Sequence, residues 1–202
     1  MSKSNLQSMK KSRLFIPALI IAVVMVFALI FGFHLGEVHD EQLAEQAAEA
    51  YVTLDGDTIP FRADISSQAA FTIRTNDSTT YFCDIIYPST LAHLYCTFRW
   101  TDTCHIGQLH HEARRMVSFH SKVALAIEEV PLRNQQGASG SLFVLKGDVA
   151  TPYQLALTDG NTYFFNASLY FDSGAHAGDV PDLVAAMRRD IDRLVYSFSA
   201  IR

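Results

Sequence analysis

Four residues with reactive side chains fall within eight positions: Cys104, His105, His110 and His111. A thiol at the start of a helix is easier to ionise, and an imidazole beside it can act as a base or a metal ligand. The spacing supplies little else. There is no Cys-x-x-Cys pair, and no two histidines stand four apart on one helix face as a zinc site needs. Nor does the sequence name a third group to orient an imidazole against Cys104. The plain reading is a solvated helix start. The competing one is a small periplasmic metal-binding or cysteine-dependent enzyme built on these four residues. No catalytic, cofactor-binding or metal-ligating residue is assigned.

Other chemistry is thinner still. The chain has no Gly-x-Ser-x-Gly elbow, no phosphate-cradling Gly-rich loop and no dinucleotide fingerprint. Arg188, Arg189 and Arg193 make a basic patch too small for nucleic acid. No small-molecule substrate is implied.

The elements that must position these residues follow from hydrophobic period. From Tyr51 the pattern alternates, as in strands. Residues Thr79 to Tyr87 and Leu91 to Trp100 read as a hairpin with a two-residue loop at Ser89-Thr90. That register opposes Tyr81 with Phe98, Cys83 with Cys96, Ile85 with Leu94 and Tyr87 with Ala92, one apolar face and the expected core. Cys83 and Cys96 are then placed either for a cross-strand disulfide or as two buried reduced thiols. The other face carries Asp84, His93 and Thr97 together with Phe82, Ile86 and Tyr95.

Residues Gly107 to Ile127 switch to a period of 3.6, with Leu109, Ala113, Met116, His120, Val123 and Ile127 on one stripe. There His120 reads as a hydrogen-bonded core histidine. Strands follow at about Glu128 to Asn134 and Ser141 to Asp148. A second hairpin, Pro152 to Thr158 and Thr162 to Asp172, turns at Asp159-Gly160-Asn161 and opposes Leu157 with Tyr163 and Leu155 with Phe165. The last helix runs from about Val180 to Phe198, with Asp179 as its cap. The sum is an α+β domain, a mainly antiparallel sheet flanked by two amphipathic helices. Exposed aromatics Phe82, Tyr95, Phe164 and Tyr170 are the candidate interaction surface.

Composition adds the compartment. The chain has 202 residues, 49% apolar and 18% charged, with a formal charge of −5 and a mean hydropathy of +0.11. These values exclude a disordered chain and a polybasic nucleic-acid binder. The excess hydrophobicity sits in Leu14 to Leu35, where only Pro17, Gly32 and His34 are not apolar. That run is long enough to span a bilayer as a helix. Lys3, Lys10, Lys11 and Arg13 precede it and Glu37, Asp40 and Glu41 follow. The expected plan is therefore a cytoplasmic basic tail (1–13), a transmembrane signal anchor (14–35), an acidic stem (36–50) and a periplasmic domain (51–202) at the inner membrane.

Five strings carry a resemblance: FTIRTNDS (Phe71 to Ser78), YPSTLAHLYCTF (Tyr87 to Phe98), FHSKVALAI (Phe119 to Ile127), DGNTYFFNASLYFD (Asp159 to Asp172) and MRRDIDRLVYSF (Met187 to Phe198). In order and spacing they resemble the gliding motility lipoprotein GldD family of Bacteroidota, from about Phe61 to the C-terminus. The resemblance implies an envelope accessory protein of gliding and type IX secretion, with no enzymatic activity and other cell-envelope proteins as partners. It offers no catalytic residue. The family's lipid-carrying cysteine is missing here, and the apolar run stands in its place. The order of elements is also similar to the Mog1/PsbP-like sandwich, at the level of fold alone.

Overall fold

The structure, a computed structural model, describes residues 50–56, 58–77, 79–172 and 176–201. The basic tail, the apolar run and most of the acidic stem lie outside the described residues. Among those described, no helix is long and apolar enough to cross a membrane.

The chain runs β1 (Tyr51–Leu54), β2 (Phe61–Ser66), β3 (Ala70–Asn76), β4 (Thr80–Tyr87), β5 (Ala92–Trp100), α1 (Thr103–Ser118), a 3-10 turn (Phe119–Lys122), β6 (Ala124–Arg133), β7 (Ser139–Gly147), β8 (Tyr153–Thr158), β9 (Tyr163–Phe171), α2 (Pro181–Ser197) and β10 (Ser199–Ala200). Seven strands form one sheet in the order β3-β4-β5-β9-β8-β7-β6, and β1, β2 and β10 form a second, smaller one. Every pairing is antiparallel.

Alternation decides the layers. Along β2, Phe61, Ala63 and Ile65 are buried while Arg62, Asp64 and Ser66 are not. The buried set packs with Ile85, Leu94, Phe98, Phe165, Leu169 and Leu157 from one face of the large sheet. Helix α2 covers the same core with Met187, Ile191, Leu194 and Val195. At its centre the Phe61 ring lies 5.8, 5.4 and 5.5 Å from Phe98, Phe165 and Phe198. Each such burial contributes roughly 1.5–3 kcal/mol.

Helix α1 lies on the opposite face. Leu109 packs on Ala156 and Phe164, and Val117 on Phe143, Leu145 and Val149. The α+β architecture with a helix on each face of an antiparallel sheet is thus the one expected.

The first hairpin keeps the expected register: Tyr81, Cys83, Ile85 and Tyr87 face Phe98, Cys96, Leu94 and Ala92. Its loop is wider, however. Pro88 and Leu91 leave the ladder, closed by Thr90 N–H to the Tyr87 carbonyl at 3.2 Å, with Leu91 at φ +50. In the second hairpin the expected register is two residues out, since Leu157 faces Phe165 and Leu155 faces Ala167. The reason is Asp159. Its Oδ1 accepts from the N–H groups of Asn161 and Thr162 at 2.9 and 2.7 Å, which holds a five-residue loop open. A slip of two leaves the same side chains on the same face.

Helix α1 corrects the long stripe. It begins earlier, at Thr103, where Asp102 accepts from His105 N–H at 3.2 Å, and it stops at Ser118. Its buried stripe is Ile106, Leu109 and Val117, while Met116 and Val123 are exposed. His120 is in the 3-10 turn, half-buried rather than in the core. Asp179 does not cap α2: Val180 holds the cap position without a side-chain bond, and Pro181 opens the helix.

Candidate functional site

Helix α1 packs on β7, β8 and β9, while on the β4–β5 side of the same face Tyr95 and Arg99 are exposed and Phe82, His93 and Thr97 half-buried. The four aromatics expected at an interaction surface share this face. Tyr95 is 38% exposed and meets Tyr170 edge-on, ring centroids 5.7 Å apart. Burial first, then Tyr95 beside it, raises the Tyr170 hydroxyl above its ordinary value. Phe82 is half-buried. Phe164 differs from expectation: it is buried beneath α1, with His110 edge-on at 5.1 Å. It is a floor, not an exposed contact.

Between the open strands and α1 runs a groove of about 220 Å³. Phe82 and Thr97 form one wall, Leu109, Ala113 and Met116 the other, and Phe164 the floor. Arg99 and Glu112, one of each charge, also line it.

Alongside, Arg74 lies 5.4 Å over the Tyr95 ring, and its Nε is 2.8 Å from Asp84 Oδ1. The β3–β4 register shifts between Ile73 and Thr75, which makes Arg74 the extra residue of a bulge. Asp84 Oδ1 is buried with no aligned hydrogen bond, so at that oxygen the contact with Arg74 is electrostatic. His93 Nε2 approaches Asp172 at 3.3 Å. Aromatic rings with a flanking ion pair and an apolar groove suit a polypeptide segment. Arg74 and Arg99 belong to no sequence motif, and Glu112 reads in the sequence only as lying off the helix's apolar stripe. A bulge and a helix–sheet groove leave no periodic signal.

The cysteine and histidine cluster does not assemble. Cys104 and His105 are exposed in the first turn of α1, with His105 Nδ1 2.7 Å from Asp102 Oδ1. His111 is exposed. His110 turns to Phe164, and burial, helped by Arg114 and opposed by Glu129, lowers its proton affinity. No group of three or more metal-binding side chains is gathered among the described residues. Cys83 and Cys96 are cross-strand partners, both buried and both free thiols. Burial, then a hydrogen bond shared with Cys83, pushes the Cys96 thiol well above its ordinary value.

The family model described as gliding motility lipoprotein GldD matches residues 42–199. The chain belongs to that family. The matched segment takes in all five strings of the sequence resemblance and begins earlier, before β1, so β1 and β2 belong to the family's domain. No curated protein matches the chain. In this GldD-family chain the groove lies beside the Tyr95–Tyr170 aromatic pair.

Proposed function

We propose that this chain is a non-enzymatic accessory protein of the gliding and type IX secretion machinery. It is held at the periplasmic face of the inner membrane as a single-pass protein through residues 14–35, and it acts by docking another envelope protein on the open β4–β5 face. The observation that carries the reading is the groove between α1 and the open strands, with exposed Tyr95 and the Arg74–Asp84 pair beside it. Family membership supports the gliding role and the attachment to a membrane. The uncharged apolar run supports the anchor.

The test is complementation of a deletion strain with Tyr95→Ala combined with Arg99→Glu. Both side chains are exposed, so chain abundance is expected to hold while colony spreading and secretion fall at least tenfold. Full spreading with normal abundance would remove this face from the function.

A further inference from the structure

At the end of the large sheet where β6 begins, large apolar side chains stand in solvent. Phe119 is 70% exposed, Val123 58% and Leu125 87%. They fall within seven residues, a concentrated tip rather than scattered singles.

Local structure holds them outward. The register of β6 on β7 shifts between Ala124 and Ala126, so Leu125 is the extra residue of a bulge. Opposite, Gly147 adopts φ +106, and a Cβ there would come within 2.9 Å of the Leu125 side chain. Helix α1 ends at Ser118 and the chain tightens into the 3-10 turn, which takes Phe119 off the buried stripe.

The charge along this segment is one-sided, and the acid across from it, Asp148 next to Gly147, is committed to His176. Residues 113–127 hold Arg114, Arg115, His120 and Lys122 and no acid, in a chain of formal charge −5. Arg114 is committed to Glu129 at 2.7 Å. Among the described residues, Arg115 and Lys122 enter no ion pair. Exposed apolar side chains with two uncommitted cations in the same segment match the boundary of an anionic bilayer, where acyl chains meet phosphate. Strand addition by a protein fits this edge poorly, because the bulge and Pro131 interrupt it.

We infer that Phe119, Val123 and Leu125, with Arg115 and Lys122, make a second, reversible contact between the domain and an anionic lipid surface. This rests on the membrane-anchored reading above, and the test separates the two. The full chain carrying Trp100→Phe and Leu125→Trp is reconstituted into vesicles of phosphatidylcholine alone or with one-quarter phosphatidylglycerol, with brominated acyl chains. The introduced indole is expected to emit at shorter wavelength in the anionic vesicles and to be quenched at least twofold. High salt, or Arg115→Glu with Lys122→Glu, reverses this, at about fivefold in contact equilibrium per cation. Flotation of the same vesicles reports the anchor independently. A floating chain whose indole stays unquenched overturns the lipid contact, including where added envelope protein alone protects it. A chain that does not float overturns the anchor and, with it, this contact.

Discussion

Asn134 is the residue whose removal best measures how the C-terminal elements are fastened to the large sheet. Its Nδ2 donates to the carbonyls of Val195 and Phe198 at 2.9 and 2.7 Å, the last turn of α2 and the residue after it. Its Oδ1 accepts from the N–H groups of Gln136 and Ala138 at 3.1 and 2.9 Å, shaping the β6–β7 loop. One side chain thus satisfies two helix-end carbonyls and two loop donors. At about 0.5–1.5 kcal/mol per bond, with the solvent-facing Gln136 bond at the low end, Asn134→Ala should cost about 3 kcal/mol. For a domain near 150 residues that is a fall of roughly 6–12 °C in Tm. Asn134→Asp separates the halves, because it keeps both acceptor bonds and loses both donors. It should cost about 2 kcal/mol at neutral pH and less in acid, where a protonated carboxyl donates again. Urea unfolding followed by far-UV circular dichroism reads both variants. A loss under 0.5 kcal/mol for Asn134→Ala would refute the clamp, and equal losses would refute the division between donors and acceptors.

Three further outcomes are expected. A Cβ at Gly140 would sit 1.9 Å from the Ala156 carbonyl oxygen, whereas Gly56 has nothing within 4 Å. Gly140→Ala should therefore cost about 3 kcal/mol or more and Gly56→Ala almost nothing, as thermal melts will show. Burial pushes the Asp159 carboxyl up, but hydrogen bonds from Thr162, Asn161 and Tyr163 outweigh it and hold it below the usual carboxylate value. That stabilisation is present above the unfolded carboxylate pKa and lost as pH falls through the lower folded one. Between pH 5 and pH 2 the wild type should lose more Tm than Asp159→Asn, and parallel Tm profiles would exclude the effect. With Cys104 exposed and Cys83 and Cys96 buried as free thiols, a maleimide should label one cysteine in the native chain and all three in urea without reductant. Fewer than three in urea would mean that a bridge had formed.

Sequence pattern specifies structure where local alternation and tertiary burial coincide. The β4–β5 register was legible because in β5 Ala92, Leu94, Cys96 and Phe98 alternate with the more polar His93, Tyr95, Thr97 and Arg99 after a short turn, and one slip would have turned the apolar set to solvent. The second hairpin was legible in face but not in register, since the loop width depends on hydrogen bonds to Asp159. Helix α1 was overrun for an instructive reason. Val123 and Ile127 continue a 3.6-residue spacing, yet the chain tightens after Ser118 and leaves Phe119, Val123 and Leu125 outside. Periodicity reports apolar side chains and not what covers them. The groove needed three dimensions altogether, for Arg99, Glu112 and Phe164 come from a strand, a helix and a distant strand. The pairing of β2 with β10, across more than 130 residues, left no local trace either.

The central claim is that the open β4–β5 face docks an envelope protein, and in-cell photo-cross-linking tests it most directly. A photoreactive residue is placed at Tyr95, and separately at Tyr196, exposed on α2. The account predicts a discrete adduct with an envelope protein from position 95, absent from position 196 and lost when Arg99→Glu is added. No adduct from position 95, or the same adducts from both positions, would contradict it.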